Sequence, residues 1–195
     1  MRELEKTYYD RRAGEYDDWW LGTGLFAGRE RPGWDDEVAR LIEALTAMPP
    51  ARTLDVACGT AFLSRHLRGE LTLLDQSAAM LAVARGRVPD AQFVRNDVPP
   101  LPFADESFER VFTSHFYGHL REPERAAFVA EARRVAGELV VVDAGGGDRE
   151  KVQARKLNDG SEHTVYKRWF SGPGLAAELG GSVLFEGDWF VAVRT

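Results

Sequence analysis

Short apolar runs alternate with amphipathic segments over most of the chain. Apolar runs that end abruptly in turn residues are typical of buried strands, whereas apolar positions three and four residues apart are typical of helices. Five strands are predicted before residue 145, over 53–56, 71–74, 91–95, 108–114 and 139–143. Helices are predicted before the first strand and after the first, second and fourth, through Val38, Leu41, Ile42 and Leu45; Phe62, Leu63, His66 and Leu67; Met80, Leu81 and Ala84; and Phe128, Ala132 and Val135. This alternation predicts an α/β fold with a doubly wound parallel sheet.

The last 50 residues depart from this alternation. A mixed-charge stretch over 145–181 contains one predicted short helix, over 171–179. Two further apolar runs, 183–185 and 189–193, flank Gly187-Asp188, which is typical of a hairpin. We therefore expect a seven-stranded sheet in a single domain over 1–195, with six parallel strands and an antiparallel final strand.

The N-terminal segment, residues 1–33, is polar but rich in aromatic side chains. Tyr9, Ala13, Tyr16 and Trp20 are spaced so that they share one face of a helix. Two interpretations stay open, because tyrosine and tryptophan suit half-hydrated positions. The face packs on the body of the domain as core, or it covers a ligand crevice with its phenol groups inside.

Composition narrows the class of protein. The chain has 195 residues, of which 44% are hydrophobic and 29% charged, and a net charge of −6. The negative charge disfavours a nucleic-acid partner, which requires a dense basic face. Cys58 is the single cysteine, and no metal-ligand spacing is found, so no metal site is predicted. No apolar run reaches membrane-spanning length, and we expect a cytoplasmic protein with no membrane partner. The oligomeric state cannot be predicted.

The candidate chemistry lies where the predicted strands end. A turn of small residues, 57–61, follows the first strand, and Asp75 ends the second strand 20 residues after Asp55. The pair Asn96-Asp97 follows the third strand. Because the carboxyl ends of parallel strands meet at one edge, these groups are expected to converge on a nucleoside.

Each of these positions suggests a contact. Asp75 is suited to accept hydrogen bonds from ribose hydroxyls and Asp97 from an exocyclic amine such as adenine N6. The Val98 N–H suits a ring nitrogen. Four further residues are expected near the ligand: Gln76 and Met80 beside the base, and Ser114 and His115 below the reacting centre.

Three motifs together resemble the class I S-adenosylmethionine-dependent methyltransferases, in particular the small single-domain type 11/25 kind. They are Leu54-Asp55-Val56-Ala57-Cys58-Gly59-Thr60-Ala61, Leu74-Asp75-Gln76-Ser77 with Met80-Leu81, and Asn96-Asp97 followed by Leu101-Pro102-Phe103. Asp105-Glu106-Ser107-Phe108 and the opening Tyr9-to-Asp17 stretch are also similar, so the resemblance covers nearly the whole chain. It implies a Rossmann-like fold and methyl transfer from S-adenosylmethionine, with S-adenosylhomocysteine as product.

The resemblance also implies roles for individual residues. The methionine part of the cofactor is expected along Asp55, Ala57, Gly59, Thr60 and Ala61. Asp75 is expected at the ribose, Asp97 at the adenine amine, and Tyr9 and Tyr16 above the site. Ala57 and Ala61 occupy positions where many relatives have glycine, which lowers the expected ease of a positive φ there. The same alanines disfavour a dinucleotide site, the NAD alternative.

The methyl acceptor is expected to be a small molecule whose identity, and whose methylation at oxygen, nitrogen or carbon, stays open. His115 and His119 are the candidate general bases, and the alternative is that backbone groups satisfy both side chains. Residues 145–181 are a possible substrate cap, through the basic stretch 151–168 with Tyr166, Trp169 and Phe170; the alternative is solvated surface. The competing function is a non-catalytic sensor or partner subunit that binds S-adenosylmethionine or S-adenosylhomocysteine.

Overall fold

A seven-stranded sheet forms the centre of the computed structural model, which describes residues 3–195, with side chains from Tyr8 onward. Met1 and Arg2, part of the predicted 1–33 segment, lie outside the described residues. The strands of this sheet are β1 (Thr53–Val56), β2 (Leu71–Asp75), β3 (Gln92–Arg95), β4 (Phe108–Ser114), β5 (Ala136–Ala144), β8 (Ser182–Glu186) and β9 (Phe190–Arg194). Strands β6 (Arg149–Lys156) and β7 (Glu162–Trp169) form a separate antiparallel pair, which we call the ribbon.

The order of the strands is β3-β2-β1-β4-β5-β9-β8. The first five pair in parallel, and β9 runs antiparallel to both β5 and β8. Six strands therefore point one way and the last points the other, which confirms the predicted fold. Because the chain reverses its direction of travel across the sheet at β1 and β4, a crevice opens at their carboxyl ends.

Helices cover both faces of this sheet. They are α1 (Glu3–Arg12), α2 (Asp18–Leu21), α3 (Trp34–Ala47), α4 (Ala78–Arg87), α5 (Glu122–Val135) and α6 (Gly172–Leu179). Alternate residues of β5 serve opposite faces: Val141 joins the cluster under α5 and α6, and Val142 joins the cluster under α3. A strand buried on both faces reads as a continuous apolar run, which is why 139–143 is so hydrophobic. Among the described residues no helix has the length and apolarity needed to cross a membrane.

Two predicted helices differ from the structure. The segment after β1 forms only a 3₁₀ turn, Ser64–His66, although Leu63 and Leu67 are buried as expected. The N-terminal aromatic face is also interrupted, because α1 ends at Arg12, a 3₁₀ turn follows, and α2 starts at Asp18. In both segments the apolar residues are spaced as in a helix because they are buried, although no continuous helix connects them.

The ribbon is the element that the sequence analysis did not predict. Its register pairs Arg149 with Trp169 at one end and Lys156 with Glu162 at the other. Both strands are mostly polar, with β6 largely exposed and β7 mostly half-buried, so they lack the apolar alternation of a strand on a core. The ribbon lies beside the turn Tyr117–His119, which follows β4, and so stands over the crevice of the main sheet.

Candidate active site

A cavity of about 750 Å³ opens at the carboxyl ends of β1, β2 and β4. Its walls come from the ends of these strands, from the N-terminal segment and from the ribbon. Eleven of the residues predicted from the sequence line it: Tyr9, Tyr16, Ala57, Gly59, Asp75, Gln76, Met80, Val98, Ser114, His115 and His119. The topology has therefore brought together residues that are distant in the sequence.

The turn after β1 adopts left-handed backbone conformations at three positions. The φ angles are 57° at Ala57, 54° at Gly59 and 58° at Ala61. The expectation that alanine would resist a positive φ is wrong for this turn, since both alanines adopt it. An L-residue in this region costs about 1–2 kcal/mol, so surrounding contacts hold the strained turn in place. Ala61 is fully buried, whereas Ala57 and Gly59 line the cavity.

Asp75 ties this turn to the next strand. Its Oδ2 accepts a hydrogen bond from the Gly59 N–H at 2.9 Å, and its Oδ1 accepts one from the Ser77 N–H at 2.8 Å. Burial raises the pKa of Asp75, and these backbone N–H groups act in the opposite direction. Each carboxylate oxygen retains acceptor capacity beyond these bonds. Asp75 is therefore able both to shape the turn and to receive hydroxyl groups in the cavity.

The wall beyond Asp75 combines apolar and amide surface. Met80, 1% exposed, is positioned by the α4 cap, in which Ser77 Oγ accepts from the Met80 N–H at 3.1 Å. Val98 and the side of Asn96 complete this wall. Flat apolar surface beside a few polar groups is the usual lining for a heteroaromatic ligand.

Four predicted site residues do not line the cavity: Asp55, Thr60, Ala61 and Asp97. Asp55 is buried beneath the turn, where burial raises the pKa of its carboxyl group to about 8. Thr60 instead donates its hydroxyl to Asp17 Oδ1 at 2.7 Å, which fastens the N-terminal segment to the turn. Asp97 is half-buried next to Asn96 and Val98, which do line the cavity.

The N-terminal segment forms one side of the cavity with its tyrosines. The Tyr16 ring lies over Gly59, because a Cβ atom built there would be 3.5 Å from Tyr16 Cε1. The Arg12 guanidinium lies 4.9 Å from the centre of the Tyr16 ring. Burial raises the pKa of Tyr16 to about 12 and raises that of Tyr9, so both hydroxyls stay protonated at neutral pH.

The opposite end of the cavity is formed by residues that follow β4. His115 lies against Trp19 and Trp20, with ring centroids 4.7 and 5.2 Å away, and its Nδ1 is 3.8 Å from Asp143 Oδ1. His119 Nδ1 is 2.6 Å from the Tyr166 carbonyl oxygen. A carbonyl oxygen only accepts, so Nδ1 carries the proton and Nε2 is left as an acceptor.

Both histidines are held neutral. Burial, followed by the positive charge of Lys167, lowers the pKa of His115 and of His119 to about 3. Asp143 acts in the opposite direction without overcoming these effects. Each imidazole is available as an acceptor at neutral pH but is a weak base.

A buried ion pair below these histidines was missed by the sequence analysis. Asp143, at the end of β5, accepts from Lys167 Nζ and, at 2.6 Å, from the Gly118 N–H. Both side chains are at most 5% exposed. Burial alone would raise the pKa of Asp143, but the charge of Lys167 holds it below its ordinary value. The signal in the sequence was an acid directly after an apolar strand, Val142-Asp143; its partner in the ribbon carried no signal.

The groups that line the cavity are suited to bind the expected cofactor. Asp75 offers a carboxylate for hydroxyl groups, Met80 and Val98 offer apolar surface for a base, and the turn at Gly59 presents bare backbone. In the part of the chain that the structure describes, no group of three His, Cys, Asp or Glu residues is arranged to hold a metal ion.

Comparison with known proteins gives a family match over the strands that carry this site. Residues 53–138 match the family described as "Methyltransferase domain". A demethylmenaquinone methyltransferase of Renibacterium salmoninarum is 38% identical over 109 residues, which cover 53% of this chain and 45% of that protein. A malonyl-[acyl-carrier protein] O-methyltransferase of Enterobacter lignolyticus is 38% identical over 82 residues, which cover 38% and 33%. The chain thus spans less than half the length of these curated relatives.

Solved structures match over nearly the whole chain. The DhpI–SAM–HEP complex superposes with a TM-score of 0.76 and 26% identity, covering 99% of this chain and 96% of that one. A complex of DhpI with SAH has a TM-score of 0.73 and 25% identity, with 98% and 94% covered. Four observations point to the same family: the strand order, the turn after β1, the match to the methyltransferase domain and the similarity to these structures. These findings support the resemblance to the class I S-adenosylmethionine-dependent methyltransferases that the sequence motifs indicate.

Proposed function

We propose that the chain transfers the methyl group of S-adenosylmethionine to a small-molecule acceptor. The observation that carries this proposal is the continuity of the cavity. One space of about 750 Å³ runs from Asp75 and Met80 to His115 and His119, and it is covered by the ribbon. A protein that only binds a nucleoside needs the first end, whereas a transferase needs both ends joined.

The first end of the cavity is proposed as the cofactor subsite. Asp75 would receive the ribose hydroxyls, Met80 and Val98 would flank the adenine, and the backbone at Gly59 would lie along the methionine part. When bound, S-adenosylmethionine supplies a methyl group on a positively charged sulfur. None of the other four predicted residues lines the cavity: Asp55, Thr60, Ala61 and Asp97. We propose that they affect cofactor binding indirectly, by shaping the turn after β1 and the loop after β3.

The second end is proposed as the acceptor subsite. Methyl transfer requires alignment of the nucleophile, and a base only if the nucleophile must lose a proton. His115 and His119 are accordingly proposed as positioning acceptors for the substrate, because a conjugate acid with a pKa of about 3 makes a weak general base. This arrangement favours an acceptor whose reacting atom is already deprotonated.

The names of the relatives do not extend to the acceptor of this chain. One acts on demethylmenaquinone and another on malonyl-[acyl-carrier protein]. The family match ends at residue 138, before the ribbon that covers the acceptor end. We therefore propose a small-molecule acceptor and transfer neither substrate.

A binding measurement with a matched control tests the cofactor subsite. We expect calorimetry to show S-adenosylhomocysteine binding that Asp75→Ala weakens by about 1.5–3 kcal/mol, because charge-assisted hydrogen bonds are lost. Asp90→Ala, which removes an exposed acid in a turn, should bind like the native chain. Asp75→Asn keeps an acceptor oxygen for one of the two N–H groups, of Gly59 or of Ser77, and covers the case in which the alanine variant does not fold.

Turnover then distinguishes a transferase from a sensor. The native chain should convert S-adenosylmethionine to S-adenosylhomocysteine faster when an acceptor is added from a panel of small molecules. Tight cofactor binding without turnover on any acid, alcohol or amine in the panel would favour the sensor. Native affinity in both Asp75 variants would remove Asp75 from the site.

A further inference from the structure

We infer that the acceptor carries an anionic oxygen group, a carboxylate or a phosphoryl group, and that Arg155 and Arg12 bind this group beneath the ribbon. The inference rests on the proposed function and adds the chemical class of the acceptor. It comes from two guanidinium groups whose charge the described part of the chain leaves without a carboxylate partner.

Arg155 is the first of these groups. It lies on β6, directly opposite His163 on β7. Its Nε atom is buried and has no hydrogen-bond partner, as is also true of Nε2 of Gln153, two residues away on the same face of the strand. Buried donors are nearly always satisfied in native structures. Two unsatisfied donors side by side indicate that an acceptor group belongs there.

Arg12 is the second group. Its Nη1 donates to the Tyr8 hydroxyl at 2.5 Å, and its guanidinium lies over the rings of Tyr8 and Tyr16. Arg12 and Arg155 line one small cavity together with Tyr8. Within residues 8–195 neither arginine forms an ion pair with a carboxylate. Two like charges placed together in partly buried positions repel each other unless an anion lies between them.

Two acids of the small cavity hydrogen-bond to neutral donors and form no ion pair with either arginine. Glu15 and Asp18 line the same small cavity. Glu15 Oε2 accepts from the Asn158 N–H at 2.8 Å, and Asp18 accepts from the Thr23 hydroxyl at 2.6 Å and from the Asn158 amide. Burial, followed by the charge of Arg12, lowers the pKa of Arg155. Among residues 8–195, no carboxylate is therefore paired directly with Arg155.

The position of Arg155 connects it to the acceptor subsite. Tyr8 lines both the small cavity and the main cavity, and its ring lies 4.8 Å from that of His163, the partner of Arg155 across the ribbon. The positive charge of Arg155 also contributes to lowering the pKa of His115 and of His119. The nearby Lys167 is different, because Asp143 already neutralises it.

The chemistry selects an oxyanion over other anions. A guanidinium presents paired N–H donors whose spacing matches the two oxygens of a carboxylate or phosphoryl group. Tyr8 and Gln153 add neutral donors next to the arginines. The site thus provides charge and geometry for one such group, in the small cavity that shares Tyr8 with the main cavity.

A titration with simple anions tests the inference. The protein is loaded with S-adenosylhomocysteine and titrated at constant ionic strength with sodium phosphate, sodium acetate or neutral acetamide, while NMR follows the arginine Nε–H resonances. We expect saturable binding of phosphate or acetate and none of acetamide. Phosphate alone would identify a phosphoryl group and acetate alone a carboxylate, and either result supports the inference.

Variants assign the binding to Arg155. Arg155→Gln should weaken the anion by about tenfold or more, because a charged hydrogen-bond donor is lost. Arg155→Lys, which keeps the charge without the fork, should fall between Arg155→Gln and the native chain. Lys151→Gln makes the same charge change at an exposed position on β6 and should bind as the native chain does. If Arg155→Gln does not fold, Arg12→Gln gives the same test on α1.

The outcomes separate this inference from the proposed function. A native chain that binds S-adenosylhomocysteine but neither anion overturns the inference and leaves the cofactor subsite standing. Equal anion binding by Arg155→Gln and Lys151→Gln also overturns it. Failure to bind S-adenosylhomocysteine at all overturns the proposed function instead.

Discussion

At the scale of single residues, the turn after β1 has a left-handed backbone conformation at two alanines, where glycine is the usual residue. Ala57 and Ala61 hold φ angles of 57° and 58°, a region that glycine occupies at little cost. The Asp75 carboxylate, bound to the Gly59 N–H at 2.9 Å, fixes the middle of the turn. Local strain is thus maintained by a neighbouring strand, and relieving it should leave the site intact.

We predict that Ala57→Gly stabilises the protein by up to about 1.5 kcal/mol. Relief of left-handed strain contributes about 1–2 kcal/mol, and the greater freedom of glycine in the unfolded chain offsets about 0.5–1 kcal/mol. Urea unfolding measures the difference. Gly137→Ala is a useful contrast, since Gly137 has no atoms within 4 Å of an added Cβ and no positive φ. A loss of more than 1 kcal/mol in Ala57→Gly would mean that methyl packing outweighs the strain.

Much of the candidate site could be predicted at this scale, and Thr60 shows a limit of such a prediction. Asp75, Met80 and Val98 line the cavity because they follow strand ends, and strand ends are visible in an apolar pattern. Thr60 follows a strand end too, but its hydroxyl bonds to Asp17. The sequence shows where a side chain is attached and not which of two nearby partners it contacts.

At the scale of elements, strands buried on both faces were predicted well and the ribbon was not. Strand β4 matches its predicted bounds, 108–114, and the predicted strand 139–143 lies within β5, which is buried on both faces. The ribbon covers a cavity and binds polar groups on its inner face, so charged residues such as Lys151, Arg155 and Lys167 are placed where apolar ones would mark a strand. The 145–181 segment was identified as a possible cap, but its two strands could not be.

The contact between ribbon and sheet leads to a prediction for Lys167→Met. Removing Lys167 leaves Asp143 charged and buried, and breaking a buried pair in this way typically costs about 3–5 kcal/mol. We expect that loss in urea unfolding. Lys151→Met, at the exposed position opposite Lys167, should change stability by less than about 0.5 kcal/mol.

A second variant shows that charge, and not packing, is responsible. Asp143→Asn combined with Lys167→Met removes both charges while keeping side chains of similar size. The double variant should recover most of the stability lost in Lys167→Met. If both variants are equally unstable, the methylene chain of Lys167 matters more than its ammonium group.

At the scale of the whole molecule, the fold buries ionisable groups that change stability with pH in opposite directions. His115 and His119 have pKa values lowered to about 3 by burial and by Lys167. Asp55 has a pKa raised to about 8 by burial. Between pH 4 and 6.5 the folded chain therefore binds fewer protons at the histidines, and more at Asp55, than the unfolded chain does. The net slope of stability against pH mixes both signs, so single-residue differences are the informative quantity.

For His119→Asn we predict a pH-dependent gain relative to the native chain. An unfolded histidine takes up a proton below about pH 6.5, whereas buried His119 does not until about pH 3, so its contribution to stability is complete above pH 6.5 and falls as the pH drops. Asparagine does not titrate, and its amide can still donate to the Tyr166 carbonyl. The difference in unfolding free energy between variant and native chain should shift toward the variant by about 2 kcal/mol from pH 6.5 to pH 5. Asp55→Asn should shift in the opposite direction and be relatively more stable at pH 6.5 than at pH 5, because it removes a carboxyl group whose pKa is raised in the folded chain. Urea unfolding at both pH values measures both shifts, and a His119→Asn difference that stays constant with pH would show that His119 is solvated and titrates as in the unfolded chain.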